Sequence, residues 1–228
     1  MSFRSTTVHV QKHAGFALAA IACSLAVCAS AGCAAPELSM NPVPRSFTPR
    51  DYARVYDTWT RDADDFSFSL MSTVLHATAT FESWEFRWAY VVRYASDHGV
   101  STETRAEMLR ASLDDAREHH RFFVTLTGEE YREADLTRNS SAWRVLLVDD
   151  QGRQTVPESI ERIRRPSPAD KVYFPSVSPF RHAFRIVFPA KSEADAPIIS
   201  PTARHLLLRF TGPRGTVDLK WGLKRGLR

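Results

Sequence analysis

Cysteine is missing from the body of this chain: Cys23, Cys28 and Cys33 are the only three among 228 residues, and all fall in the first 33. A disulfide framework is therefore excluded from the remainder, which must hold by packing. Glycine is scarce as well. Nine glycines scattered at turns form neither Gly-x-Gly-x-x-Gly nor Gly-x-x-x-x-Gly-Lys, which excludes the phosphate-cradling loops of those types. There is no Gly-x-Ser-x-Gly elbow and no His-Glu-x-x-His run. The acid pairs Asp64-Asp65, Glu129-Glu130 and Asp149-Asp150 lie in turn-like settings and single out no general acid. No internal repeat is visible. These absences make a non-enzymatic protein without a cofactor the expectation.

What is present begins with an export signal. Arg4 and Lys12 form a basic start, and from Ala14 to Gly32 there is no charged residue, with Phe16, Leu18, Ile21, Leu25 and Val27 supplying the hydrophobicity. That is the pattern of a signal peptide over residues 1 to 32. A retained membrane span, which needs roughly 20 apolar residues, is the rival. The Ala-, Ser- and Gly-rich end of the run suits a peptidase instead.

Ser30-Ala31-Gly32-Cys33 resembles the lipobox of bacterial lipoproteins, with Ser30 where Leu is usual. The resemblance implies diacylglycerol on the Cys33 thiol and cleavage on its N-terminal side. Ala34 in the next position is similar to lipoproteins sent to the outer membrane, where the protein would face the periplasm or the cell surface. Ala29-Ser30-Ala31 offers a second cleavage site, whose use would release a soluble periplasmic or secreted protein.

Residues 33 to 228 suffice to bury one core. Residues 33 to 46, with Pro36, Pro42 and Pro44, read as a tether. Residues 47 to 228 read as a single domain. Thr48-Pro49 with Asp51 announces a helix that continues through Tyr52, Val55, Tyr56 and Trp59. Period two follows from Phe66 to Phe81, as one strand or two. Helical spacing returns at Trp84, Trp88, Val91, Val92 and Ala95, Gly99 marks a helix end, and Ser101 or Thr102 caps a second helix with Leu109, Leu113 and Ala116 inward. A helical hairpin over about 82–118 thus interrupts the strands. Beyond it, strands are expected around 122–126, 143–147, 180–188, 206–210 and 217–221, with a terminal hairpin through Gly212-Pro213-Arg214-Gly215. The expected class is α+β: an antiparallel β-sandwich, loosely Ig-like, with an N-terminal helix and an inserted helical hairpin.

The net charge of +4 hides opposed halves. Residues 33 to 150 carry 13 basic against 20 acidic groups, and residues 151 to 228 carry 15 against 6. Either the basic half faces an acidic partner, or the halves attract one another. Arg181, Arg185 and Arg209, with Lys220, form the candidate interaction face if their strands pair in order; its alternative is the solvated outer face of a sheet. The cluster Asp114, Asp115, Glu118, His119 and His120 supplies metal-ligand types, with Glu118, His119 and His120 the candidates, but adjacent histidines in an extended segment point to opposite sides. His182, between Phe180 and Phe184, reads as a hydrogen-bonded core histidine. The five tryptophans, all on apolar stripes, read as core rather than as sugar-stacking platforms.

The expected function is that of an exported, lipid-anchored envelope protein. It would be a binding or scaffold module for a protein or an anionic surface component, with no nucleic-acid partner. The alternatives are an envelope hydrolase with a metal at His119 and His120, and a periplasmic carrier of an apolar ligand.

Overall fold

The computed structural model describes residues 38–40, 42, 45–67 and 72–224. The signal sequence, Cys33 and Ala34 lie outside the described residues. Helix α1 (Tyr52–Trp59) follows a short 3-10 turn in which the Thr48 and Asp51 side chains cap one another, as the Thr-Pro-x-Asp pattern requires. Strands β1 (Thr60–Ser67) and β2 (Ser72–Phe81) come next, and then the helical hairpin, α2 (Trp84–Asp97) and α3 (Thr102–Glu118). Ser83 and Ser101 cap its helices by accepting from the amides of Phe86 and Thr104. Gly99 between them adopts φ +61°, the left-handed turn that ends a helix.

After the hairpin run β3 (His119–Gly128), β4 (Arg144–Asp149), β5 (Gln154–Thr155), β6 (Ser159–Ile163), helix α4 (Pro168–Tyr173), β7 (His182–Pro189), β8 (His205–Gly212) and β9 (Gly215–Gly222). The class is α+β, with nine antiparallel strands in two sheets and four α-helices among the described residues. One sheet has the order β1-β2-β3-β7-β6 and the other β5-β4-β8-β9.

Alternation sets the layers. Phe122, Val124 and Leu126 of β3 pair across to Ile186, Phe184 and His182 of β7 and face the second sheet. There Phe122 lies 5.6 Å from Trp221 and 5.8 Å from Phe188, ring centre to ring centre. The intervening residues of β3 and β7 face the other way, where Phe123 stacks on Phe174 at 3.8 Å, just after α4. That outer face is covered by helices, giving a third layer: Tyr52 of α1, Phe86 and Tyr90 of α2 and Tyr173 of α4 form one aromatic cluster over it. The sheets also meet at one edge, where Arg61 of β1 donates to the Lys220 carbonyl of β9 and Trp221 Nε1 donates to the Trp59 carbonyl.

Two expectations are corrected. The stretch read as a tether is pinned at Leu38, which is buried and bridges to Leu223 beside the last strand. The strand expected from Phe180 begins at His182 instead, and Phe180 itself is 80% exposed. His182 is a core histidine as read: it is buried, and its Nε2 sits 2.6 Å from the Tyr131 carbonyl. Trp59, Trp84, Trp143 and Trp221 are buried, and Trp88 is half-buried.

Candidate functional site

The expected basic face does not form. Arg181 and Arg185 belong to the β7 side of the first sheet, whereas Arg209 and Lys220 lie on β8 and β9 of the second, because β7 pairs with β3 and β6 and not with β8. Each arginine also has a local partner: Arg181 donates to Thr78, Arg185 to Asp170, and Arg209 holds Asp218 through two bonds of 2.6 and 2.7 Å. Glu118, His119 and His120 do not converge either. Glu118 is exposed at the end of α3, the His119 ring lies 3.1 Å from Asp115 and 3.7 Å from Glu158, and His120 turns to the opposite side of β3, edge-on to Phe81. Burial, reinforced by the charges of Arg87 and His119, pushes the His120 imidazole down to about 4. Among the described residues no group of three or more His, Cys, Asp or Glu is placed to hold a metal.

The sequence did place Arg185 among its candidates, and Arg185 borders a cavity of about 290 Å³ between the helical hairpin and the outer face of the first sheet. The β alternation that buries Phe122 and Ile186 turns Arg121 and Arg185 outward into it. From α2 comes Arg87, whose side chain is 5% exposed. Its guanidinium donates to the carbonyls of Glu82, Ser112 and His119 and to the Asp115 carboxylate at 2.5 Å, joining α2, α3 and β3. Arg121 donates to the other Asp115 oxygen.

Three cations thus face two carboxyls. Burial works against charge on Asp115, but the Arg87 hydrogen bond and the Arg87 and Arg121 charges outweigh it and hold this carboxyl below the usual range. Glu82, immediately before α2, is the reverse case. Burial pushes its carboxyl up; Arg87, Arg185 and Arg121 oppose this through space, without a hydrogen bond to it among the described residues. Arg121 Nε is buried and has no partner among the described residues. The cavity wall therefore holds an arginine Nε–H without a partner among the described residues, a second half-engaged arginine, and a carboxyl able to donate when protonated. An oxyanion would satisfy all three.

Glu82 also stands in the wall of a second cavity of about 470 Å³, at the end of the sandwich under the other side of the hairpin. Phe81, Trp84, Trp88, Leu113 and Ala116 make that wall mainly apolar, and Met40 and Pro42 roof it. The roof is held at one end by Leu38 on β9 and at the other by Arg45, which bonds Glu85 at 2.6 Å.

No helix among the described residues is long and apolar enough to cross a membrane. No protein-family model matches the chain. No curated protein matches it either. Among solved structures it is similar to that of a novel protein of unknown function from Burkholderia pseudomallei K96243, with a TM-score of 0.36 and 14% identity over 78% of this chain and 91% of that one. A likeness of that size carries no functional information.

Proposed function

We propose that this chain is an exported envelope protein, lipid-anchored through Cys33 in the outer membrane, and that it works as a non-enzymatic binding module for a small oxyanion-bearing ligand of the carboxylate or phosphate class. The observation that supports the ligand is the arginine cavity, where Arg121 Nε is buried without a partner beside Arg185 and the unbonded Glu82 carboxyl. Arg181, Arg185 and Arg209 have local partners and the four basic residues are split between two sheets, which favours this cavity over a sheet surface for the binding role. Export rests on the charge-free run behind Arg4 and Lys12, and anchoring on the lipobox-like Ser30 to Cys33.

Two experiments test the parts separately. Labelling cells with a palmitate analogue gives incorporation in wild type and none in Cys33→Ala; label that survives the substitution removes Cys33 as the anchor. For the cavity, thermal unfolding is followed with acetate, glucuronate and inorganic phosphate. A ligand at about a hundred times its Kd stabilises by about 2.7 kcal/mol, which for a domain of this size raises Tm by roughly 5–10 °C. The rise disappears in Arg121→Gln. An equal rise in that variant, or none with any of the three anions, counts against the site.

A further inference from the structure

We infer that the apolar cavity under Met40 and Pro42 is a binding site for the alkyl chain of a free single-chain anionic amphiphile of the fatty-acid class. This goes beyond the anion site proposed above and does not depend on it: the two cavities share Glu82, but Arg121 and Arg185 line the first and not the second.

A volume of about 470 Å³ lies within the ordinary range of small-ligand sites. The lining suits a flexible hydrocarbon: the Phe81, Trp84 and Trp88 rings on one side and Leu113 and Ala116 of α3 on the other. What makes it a site rather than a packing gap is Trp84. This residue is only 7% exposed, yet its Nε1 hydrogen has no acceptor among the described residues. A buried donor left unmade is costly, and a ligand reaching it from this cavity would supply the acceptor that the described residues do not. A carboxylate supplies one. It would also meet the cationic Arg117 in the same wall, in competition with Asp114 at 3.0 Å, and the His119 imidazole. Glu82 is the acid of this wall, and burial pushes its carboxyl up against the opposing charges of Arg87, Arg185 and Arg121.

The test uses the exported Cys33→Ala chain, which carries no acyl group of its own at that position, titrated calorimetrically with octanoate, decanoate and dodecanoate below their micelle-forming concentrations. One site per chain is expected, with affinity rising about fourfold for each added methylene. Leu113→Trp fills the cavity and weakens dodecanoate binding by roughly tenfold or more, and Ala116→Trp does the same from the next turn should the first variant fail to fold. Trp84→Phe, which keeps the ring and removes the donor, weakens binding about fivefold. Arg121→Gln leaves it unchanged, so loss of the anion site and loss of this one read separately. Affinity that does not depend on chain length, or binding that both Trp-filling variants retain, overturns the assignment. So does dodecanoate that binds Cys33→Ala but is shut out of the lipidated wild type, which would make the protein's own acyl chain the occupant.

Discussion

Arg87 joins three elements through one guanidinium. Removing it strands the Asp115 carboxylate beside fewer cations and leaves the carbonyls of Glu82, Ser112 and His119 without their donor. Breaking a buried pair from one side typically costs 3–5 kcal/mol. Because Arg121 and His119 still hold Asp115, Arg87→Met is expected at the low end, about 3 kcal/mol by urea unfolding. Asp115→Asn is expected to cost less. A change below about 0.5 kcal/mol for Arg87→Met would mean that the hairpin is held by its apolar contacts alone. His120 contributes with a definite pH sign. Its folded value, depressed to about 4 from an ordinary 6.5, means that the unfolded chain binds the proton more readily. Its stabilisation is complete above pH 6.5 and is lost as pH falls from there toward 4, at up to about 1.4 kcal/mol per pH unit. Burial depresses His182 in the same direction. Stability curves of wild type and His120→Gln taken across that window should converge toward its acid end, where the wild type has lost its advantage. Parallel curves would show that His120 is as easily protonated folded as unfolded.

At the scale of elements, the hairpin turn tests the backbone alone. Gly99 has φ +61° and nothing within 4 Å of a Cβ placed on it, so Gly99→Ala carries only the left-handed strain, about 1 kcal/mol. Gly212 is the opposite case: an added Cβ would fall 1.8 Å from the Ala142 carbonyl oxygen, so Gly212→Ala must move backbone and should cost clearly more in the same unfolding assay. Both glycines were read from the sequence as turn residues, but only coordinates separate strain from collision. The same contrast governs what could be read elsewhere. Alternation disclosed β8 and β9 because one face of each is buried, apolar residues disclosed β3 and β4 although both of their faces are buried, and the cap at Ser101 disclosed its helix. Strand β6, partly exposed on both faces at a sheet edge, leaves no such pattern. Helix α4 was legible and overlooked: Ser167-Pro168-Ala169-Asp170 repeats the Thr-Pro-x-Asp signature that announced α1, and the Ser167 and Asp170 side chains form the same reciprocal cap. Of the cavity, the sequence points to Arg185 and to Asp115 of the polar cluster. Arg87 lies between Trp84 and Trp88 on an apolar-periodic helix and Arg121 alternates along a strand, so each reads as a solvent-facing residue until the hairpin folds over the sheet.

For the whole molecule, the opposed charges of the two halves find a partial structural outlet. Arg162 holds Asp135 at 2.5 Å, and Arg214 reaches both Glu129 and Glu133, so acidic loops of the first half are tied to basic residues of the second. The first and last described residues are tied as well. The Leu38 amide donates to the Gly222 carbonyl and the Lys224 amide to the Leu38 carbonyl, with the Leu38 side chain buried against the core. With the anchor proposed at Cys33, only five residue steps separate lipid from folded body, a reach of about 18 Å at full extension. The domain would then ride close to the membrane surface. That arrangement requires Leu38 to be a structural residue and not a link in a slack tether. Leu38→Ala should therefore destabilise the domain by about 2–4 kcal/mol, through lost burial and the cavity left behind. Replacing Ala34 and Ala35 by Ser should change stability by less than about 0.5 kcal/mol. Equal, small effects at both places in urea unfolding would mean that the segment before Arg45 is dispensable to the fold, and the short standoff from the membrane would go with it.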